Sequence, residues 1–360
     1  MNIIDLLTTG YQKLPYLIAG ILGVGTVVTV HEFGHFIFAK LFNVHIPEFS
    51  IGIGPKIYSK KIGETTFCIS ALPVGAYVAA NQDHETAGGH HRTIQAKKYW
   101  QKLIIVSGGV LFNLIFAYLL LLGLSMRGIP ASPLLSGDHL IEQIVPHGAA
   151  AKAGLKAQDS IISIDEVSVE KNTEKLLTLI SENPQKTVSL GIIRNGEKIT
   201  LPCTFDTNKE DPLKGSLGIH ISFSGIAPVS FPHAIIQAGT ILHLLIVKNI
   251  AQIKSIFVKK TAKNLSGPLG MIYMAIDSAS KGIPFLLLLL VLINVGLAVL
   301  NIIPLPILDG GHVLIYTIEA IIGKPINETI QTYISYVALG LFALLFTYLT
   351  FQDTIRIFFS

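Results

Sequence analysis

Four long apolar runs divide this chain, at about residues 14–42, 103–126, 283–303 and 334–351. A helix needs about 20 mostly apolar residues to cross roughly 30 Å of hydrocarbon, and each run comes near or exceeds that length. Their polar interruptions are few. The first run holds His31, Glu32 and His35, the second Asn113, and the third Asn294 and Asn301. A fifth stretch, 234–258, is broken by Gln237, His243, Lys248 and Lys254, while Ile235, Leu242, Leu245, Ile246, Ile250, Ile253 and Phe257 recur at helical spacing. That pattern predicts an amphipathic helix lying at the membrane surface and not a fifth crossing.

Between the second and third runs the period changes. Short β-branched runs at 141–145, 160–164, 188–194 and 198–201 alternate with turns, and Asn195-Gly196 is a two-residue hairpin signal. With a short helix at 173–180, this predicts a compact β-rich domain of about 75–95 residues. A second hairpin is expected earlier. Apolar residues alternate through 52–58 and 65–72 on either side of the turn Lys61-Ile62-Gly63-Glu64.

Composition agrees with the pattern. Half the residues are hydrophobic and only 14% are charged, with a mean hydropathy of +0.58. This is the profile of a polytopic membrane protein with about four transmembrane helices, a membrane-associated β-hairpin and one β-rich domain outside. The net charge of +4 carries no basic stripe with interleaved aromatics, so nucleic acid is not an expected partner and the lipid bilayer is. Lys56, Lys60, Lys61, Arg92, Lys97, Lys98 and Lys102 lie between the first two runs, against Lys13 alone before them. The positive-inside rule makes that loop cytoplasmic, with the N-terminus and the β-rich domain external. Cys68 and Cys203 then fall on opposite sides, so no disulfide is expected. No basic region or cleavage site precedes the first run, which is expected to stay as an anchor.

The sequence His31-Glu32-Phe33-Gly34-His35 is an HExxH pattern. On a helix, positions i and i+4 lie about 40° apart, so both imidazoles face one ion while Glu32 stands beside it as a base. Two imidazoles and a carboxylate inside a membrane span are costly unless bound or paired, so they mark function. A satisfied polar cluster joining helices is the plainer alternative. A catalytic zinc site keeps three protein ligands and one open place. The best third ligand is Asp309, because the run from Asn301 to Gly311 breaks the third span with Pro304 and Pro306. With one crossing between them, spans one and three run the same way, and Asp309 emerges at the end where His31 and His35 lie. Glu319 and Asp277 lack such a setting. His84, His90 and His91 have no rigid spacing and read as solvated, and His312 reads as a support for Asp309.

These features resemble the site-2 proteases, in particular the bacterial regulator-of-sigma-E type. HEFGH in the first span and NIIPLPILDGG after the third look like that family's two metal-site motifs. Residues 52–55, 63–65, 73–78 and 265–270 are similar to other stretches of it. The resemblance implies an intramembrane metalloendopeptidase with Zn2+ held by His31, His35 and Asp309, Glu32 as catalytic base, and Asn301 binding substrate backbone. A helix–helix hydrogen bond is the alternative for Asn301, and is the expectation for Asn294. It also implies single-pass membrane protein substrates, such as anti-sigma factors or remnant signal peptides, and a bacterial inner-membrane location with the active site toward the cytoplasm. Ile144-Val145-Pro146, Ala153-Gly154-Leu155 and Asp159 through Asp165 resemble a PDZ module, which takes a peptide as an added strand or serves only as a spacer or filter. Gln158 stands where such modules usually have glycine, and Ala76 where the family has one.

The expected division is a membrane part at 1–126, a PDZ-like domain at 127–210, a linker with the interfacial helix at 211–282, and a second membrane part at 283–360. Two rivals remain. A catalytically inert membrane-anchored PDZ scaffold would need no base at Glu32, and a metal transporter would show ligands at several depths.

Overall fold

The computed structural model describes residues 3–79, 92–132, 135, 139–170, 172–208, 211–223, 225–259 and 267–358. His84, His90, His91, Leu265 and Ser266 lie outside them. The chain begins α1 (Ile3–Leu41), β1 (Glu48–Ile62), β2 (Thr65–Ala79) and α2 (Tyr99–Arg127). A β-rich stretch follows: β3 (His139–Ile144), α3 (Ala149–Lys152), β4 (Ser160–Ile164), β5 (Val167–Ser168), α4 (Thr173–Ser181), β6 (Thr187–Arg194), β7 (Glu197–Thr204), β8 (Asp206–Thr207), β9 (Gly215–Ser216) and β10 (Ile219–Phe223). Five helices close the chain: α5 (Phe231–Lys259), α6 (Pro268–Lys281), α7 (Ile283–Asn301), α8 (Asp309–Ile322) and α9 (Glu328–Phe358). They form two units, Met1–Leu124 with Ala234–Ser360, and Ser125–His233.

In the first unit, glycines set the helix contacts. A Cβ on Gly34 would lie 2.2 Å from the Gly108 carbonyl oxygen, and one on Gly108 would lie 2.6 Å from that of Gly34. Only bare backbone lets α1 and α2 come this close, the usual device where lipid removes the hydrophobic drive for helix pairing. Gly20 meets Ala275 of α6 and Gly23 meets Leu290 of α7, while Asp309, beyond the end of α7, meets His31 and His35. α1 and α7 therefore run in the same direction, as the motif order requires.

Among the described residues five helices are long and apolar enough to cross a membrane, one more than expected, the addition being 231–254 within α5. Direction limits that addition. Ile105 of α2 lies beside His35 and Asn113 beside His31, so α2 runs against α1 while α7 runs with it, and the chain between α2 and α7 makes no net crossing.

The early hairpin forms and then folds on itself. Its arms pair from Ile62↔Thr65 to Lys56↔Ser70 around Gly63, whose φ is +62°. Residues 48–51 pair with 66–69 and also with 76–79, so two strands give four sheet segments. Gly52 and Gly54, at φ +89° and +94°, make the bend. Phe36 packs its ring 5.3 Å from Phe49 and 5.6 Å from Phe67, which fixes the sheet on α1. The far end of the hairpin reaches deeper. A Cβ on Gly25 would stand 2.0 Å from the Pro73 carbonyl oxygen, about 9 Å along the helix from His31.

The second unit is held by a conventional core of Ile141, Ile161, Leu176, Leu190, Ile192 and Phe205. Its sheet runs β10-β3-β4-β6-β7, with β5 on β4. Asn195 and Gly196 both have positive φ, as a tight hairpin turn needs. Gln158 has φ +69°, which accounts for glycine being usual there. The sheet does not stop at residue 210. β10 pairs with β3 from Ile219↔Ile144 to Phe223↔His139, so the domain takes in the first part of the 211–282 stretch that the sequence pattern assigned to a linker.

Candidate active site

His31 and His35 lie one turn apart near the C-terminal end of α1, and Gly34 between them lets α2 lie against that face. Asp309 opens α8. Its placement depends on the two glycines after it. A Cβ on Gly310 would fall 2.3 Å from the Ile302 carbonyl oxygen and one on Gly311 2.1 Å from that of Leu305, so the proline turn folds tightly back on the helix start.

The three side chains converge. His31 Nε2 lies 3.2 Å from Asp309 Oδ2, His35 Nε2 lies 3.4 Å from Asp309 Oδ1, and the two Nε2 atoms are 3.2 Å apart. A tetrahedral zinc with bonds of about 2.0–2.1 Å separates its ligand atoms by roughly 3.3 Å, so the spacing suits that ion. The donor chemistry suits it too. His35 Nδ1 is 2.9 Å from the Ile105 carbonyl oxygen, so Nδ1–H donates there and Nε2 keeps its lone pair for a metal. Asp309 Oδ2 is buried without a hydrogen-bond donor. Among the described residues this is the one group of three or more His, Cys, Asp and Glu that could hold a metal ion.

Residues 19–345 match peptidase family M50. The chain belongs to that family. It is 27% identical to the regulator of sigma-W protease RasP of Bacillus subtilis, over 95% of this chain and 99% of that one. The zinc metalloprotease RasP of Bacillus licheniformis is 26% identical over the same shares, and the chloroplastic membrane metalloprotease ARASP of Arabidopsis thaliana is 27% identical over 92% of this chain and 77% of its own. A PDZ domain from Listeria monocytogenes matches 23% of this chain and 86% of its own at 17% identity, with a TM-score of 0.21. The protein is a multi-pass, site-2-type zinc metalloendopeptidase.

Around the three side chains lies a cavity of about 520 Å³, lined also by Glu32, Val78, Asn301, His312 and Tyr316. Asn301 therefore faces the site. Asn294 instead bonds within its own helix, its Nδ2 donating to the Leu290 carbonyl oxygen at 2.7 Å, and not across to a neighbour. Asp277 pairs with Lys281 and Glu319 with Lys102, so neither joins the site. Reading the sequence left three neighbours of the site unassigned: Gly109, Tyr316 and Asn113. A Cβ on Gly109 would lie 2.5 Å from both His31 Cε1 and His35 Nε2, and Asn113 Nδ2 is 3.2 Å from His31 Nδ1. The available signal was a buried amide four residues after a glycine in a membrane span.

Proposed function

We propose that His31, His35 and Asp309 hold the zinc and that Glu32 is the catalytic base of a protease acting on transmembrane segments of single-pass membrane proteins. The observation that carries this reading is the meeting of three ligand atoms at zinc spacing in a cavity that Glu32 also lines. When bound, zinc supplies a Lewis acid that polarises the scissile carbonyl and eases deprotonation of the attacking water. Glu32 accepts that proton on its carboxylate and returns it to the leaving amide nitrogen. Asn301 holds the substrate backbone at the cavity wall.

A bond within a helix must be unwound before it can be cut. Residues 76–79 pair with 48–51 on one side, and Val78 among them lines the cavity. An extended substrate adds to this edge as a further strand, which favours segments with helix-weakening residues. Anti-sigma factors and remnant signal peptides have the required form. The excess of Lys and Arg in the loop between the first two spans supports a site toward the cytoplasm, with the β-rich unit outside, in the inner membrane of a bacterium. There, a groove lined by Leu177, Ile180, Leu217 and Ile219 along β10 suits an added peptide strand.

The test is cleavage of a single-span substrate by purified protein in lipid. Glu32→Gln should lose about 10²–10⁴-fold in rate with zinc content unchanged. Equal cleavage by the variant would remove Glu32 from the mechanism, and no cleavage by zinc-loaded wild type would favour the inert scaffold.

A further inference from the structure

The face of α2 turned to the metal site has a regular pattern. Ile105, Gly109 and Asn113 follow one another at four-residue intervals, so they form one stripe along the helix. Ile105 offers its carbonyl oxygen to His35 Nδ1 at 2.9 Å. Gly109 has no side chain, which leaves the space both imidazoles fill. Asn113, fully buried, places its amide 3.2 Å from His31 Nδ1. Each histidine thus has its outer nitrogen held by α2, one by a backbone oxygen and the other by a side chain.

The two partners differ in chemistry. A carbonyl oxygen only accepts, so Ile105 holds the His35 proton on Nδ1. An amide works either way. With nitrogen toward His31, the Asn113 N–H donates to Nδ1 and the imidazole must carry its own proton on Nε2, the atom that faces Asp309. In that orientation Asn113 Oδ1 is buried and has no donor. With the amide turned over, Oδ1 accepts from Nδ1–H, gains the missing donor, and leaves the Nε2 lone pair directed at the ion. The two histidines then match, each with its outer N–H on an oxygen of α2.

We infer that Asn113 is a positioning residue whose side-chain oxygen fixes His31 in the tautomer that binds zinc. It touches neither substrate nor reacting atoms and acts through His31 alone. The inference rests on the proposed ligand set.

The experiment measures zinc affinity, by competition with a chromophoric chelator, of the full-length protein in lipid nanodiscs. Asn113→Leu keeps the volume and removes the acceptor, while Asn113→Asp keeps an acceptor and no donor. The leucine variant should bind zinc roughly 10–100-fold more weakly, and the aspartate variant should stay near wild type. Helix content and thermal unfolding of the metal-free forms should match throughout. Wild-type affinity in Asn113→Leu overturns the inference. So does equal loss in both variants, which would make Asn113 a packing residue. Wild type that takes up no zinc, or His35→Ala that binds it as tightly as wild type, would overturn the ligand set itself.

Discussion

The two units balance side-chain burial and close backbone approach differently, although the β-rich unit also uses glycine at Gly191 and Gly215 and the membrane unit also buries Phe36 and Phe49. In the β-rich unit, large side chains such as Leu190, Ile192 and Phe205 are buried against one another, and water drives them there. In the membrane unit, backbones come together at residues with no side chain: Gly34 on Gly108, Gly25 on Pro73, and Gly310 and Gly311 on the proline turn. Lipid tails are as apolar as leucine, so burying leucine gains little there. Close backbone approach and polar contacts do the work instead. The metal site belongs to the second kind, since its ligands meet only because glycines beside them leave room.

Truncating one large residue should therefore harm the β-rich unit most, and adding one methyl should harm the membrane unit. Leu190→Ala leaves a cavity in the β-rich core and should cost about 3 kcal/mol of that unit's stability, read by hydrogen exchange over residues 139–223 of the full chain. Zinc content and cleavage of a short single-span substrate should not change. Loss of zinc in this variant would break the comparison. Gly109→Ala tests the converse. Its new methyl would stand 2.5 Å from both imidazoles, and a displacement near 1 Å costs about 100-fold in rate. Cleavage should fall by that order, with weaker zinc binding and an unchanged β-rich unit. Gly25→Ala meets the Pro73 carbonyl instead and displaces the part of β2 between 70 and 76, away from the ligands. About a tenfold fall in cleavage with full zinc content is expected, as for a substrate held less well. Wild-type cleavage would mean that the hairpin's depth is immaterial.

The same contrast decides what could be read from sequence. Periodicity is a local signal, so the spans, the α4 helix and the Asn195-Gly196 hairpin were all legible. His31, Glu32 and His35 were legible because helix geometry converts a five-residue spacing into one face. Asp309 needed only a direction argument. What stayed hidden depends on partners distant in the chain. β10 is a short alternating run whose place is set by β3, some 75 residues earlier. The alternating pattern placed the hairpin arms at 52–58 and 65–72 and left out residues 48–51, which pair on two sides because Gly52 and Gly54 turn the strand. Asn113 was visible as an amide in a span, but its role appears only when α2 lies on α1.

Charge gives the smallest effects and the sharpest sign. Asp159, buried in the β-rich unit, would have its carboxyl raised by burial alone. The Arg194 guanidinium, at 2.8 and 2.7 Å, and the Lys156 N–H more than offset that and hold it below the usual range. A carboxyl depressed in the folded state contributes stability that is fully present above the unfolded value, about 3.9, and is lost as pH falls toward the folded one. Asp159→Asn should thus cost about 1–3 kcal/mol at pH 6, and the gap from wild type should narrow below about pH 4. A gap constant down to pH 2.5 would mean that the carboxylate's charge contributes nothing. In the hairpin of the other unit, Arg92 pulls Glu64 down to about 2, the same direction, but this pair is open to solvent. Exposed pairs are screened and contribute little, so Glu64→Gln should leave unfolding unchanged across that range. A similar pH-dependent loss in both variants would show that burial is not what separates the two pairs.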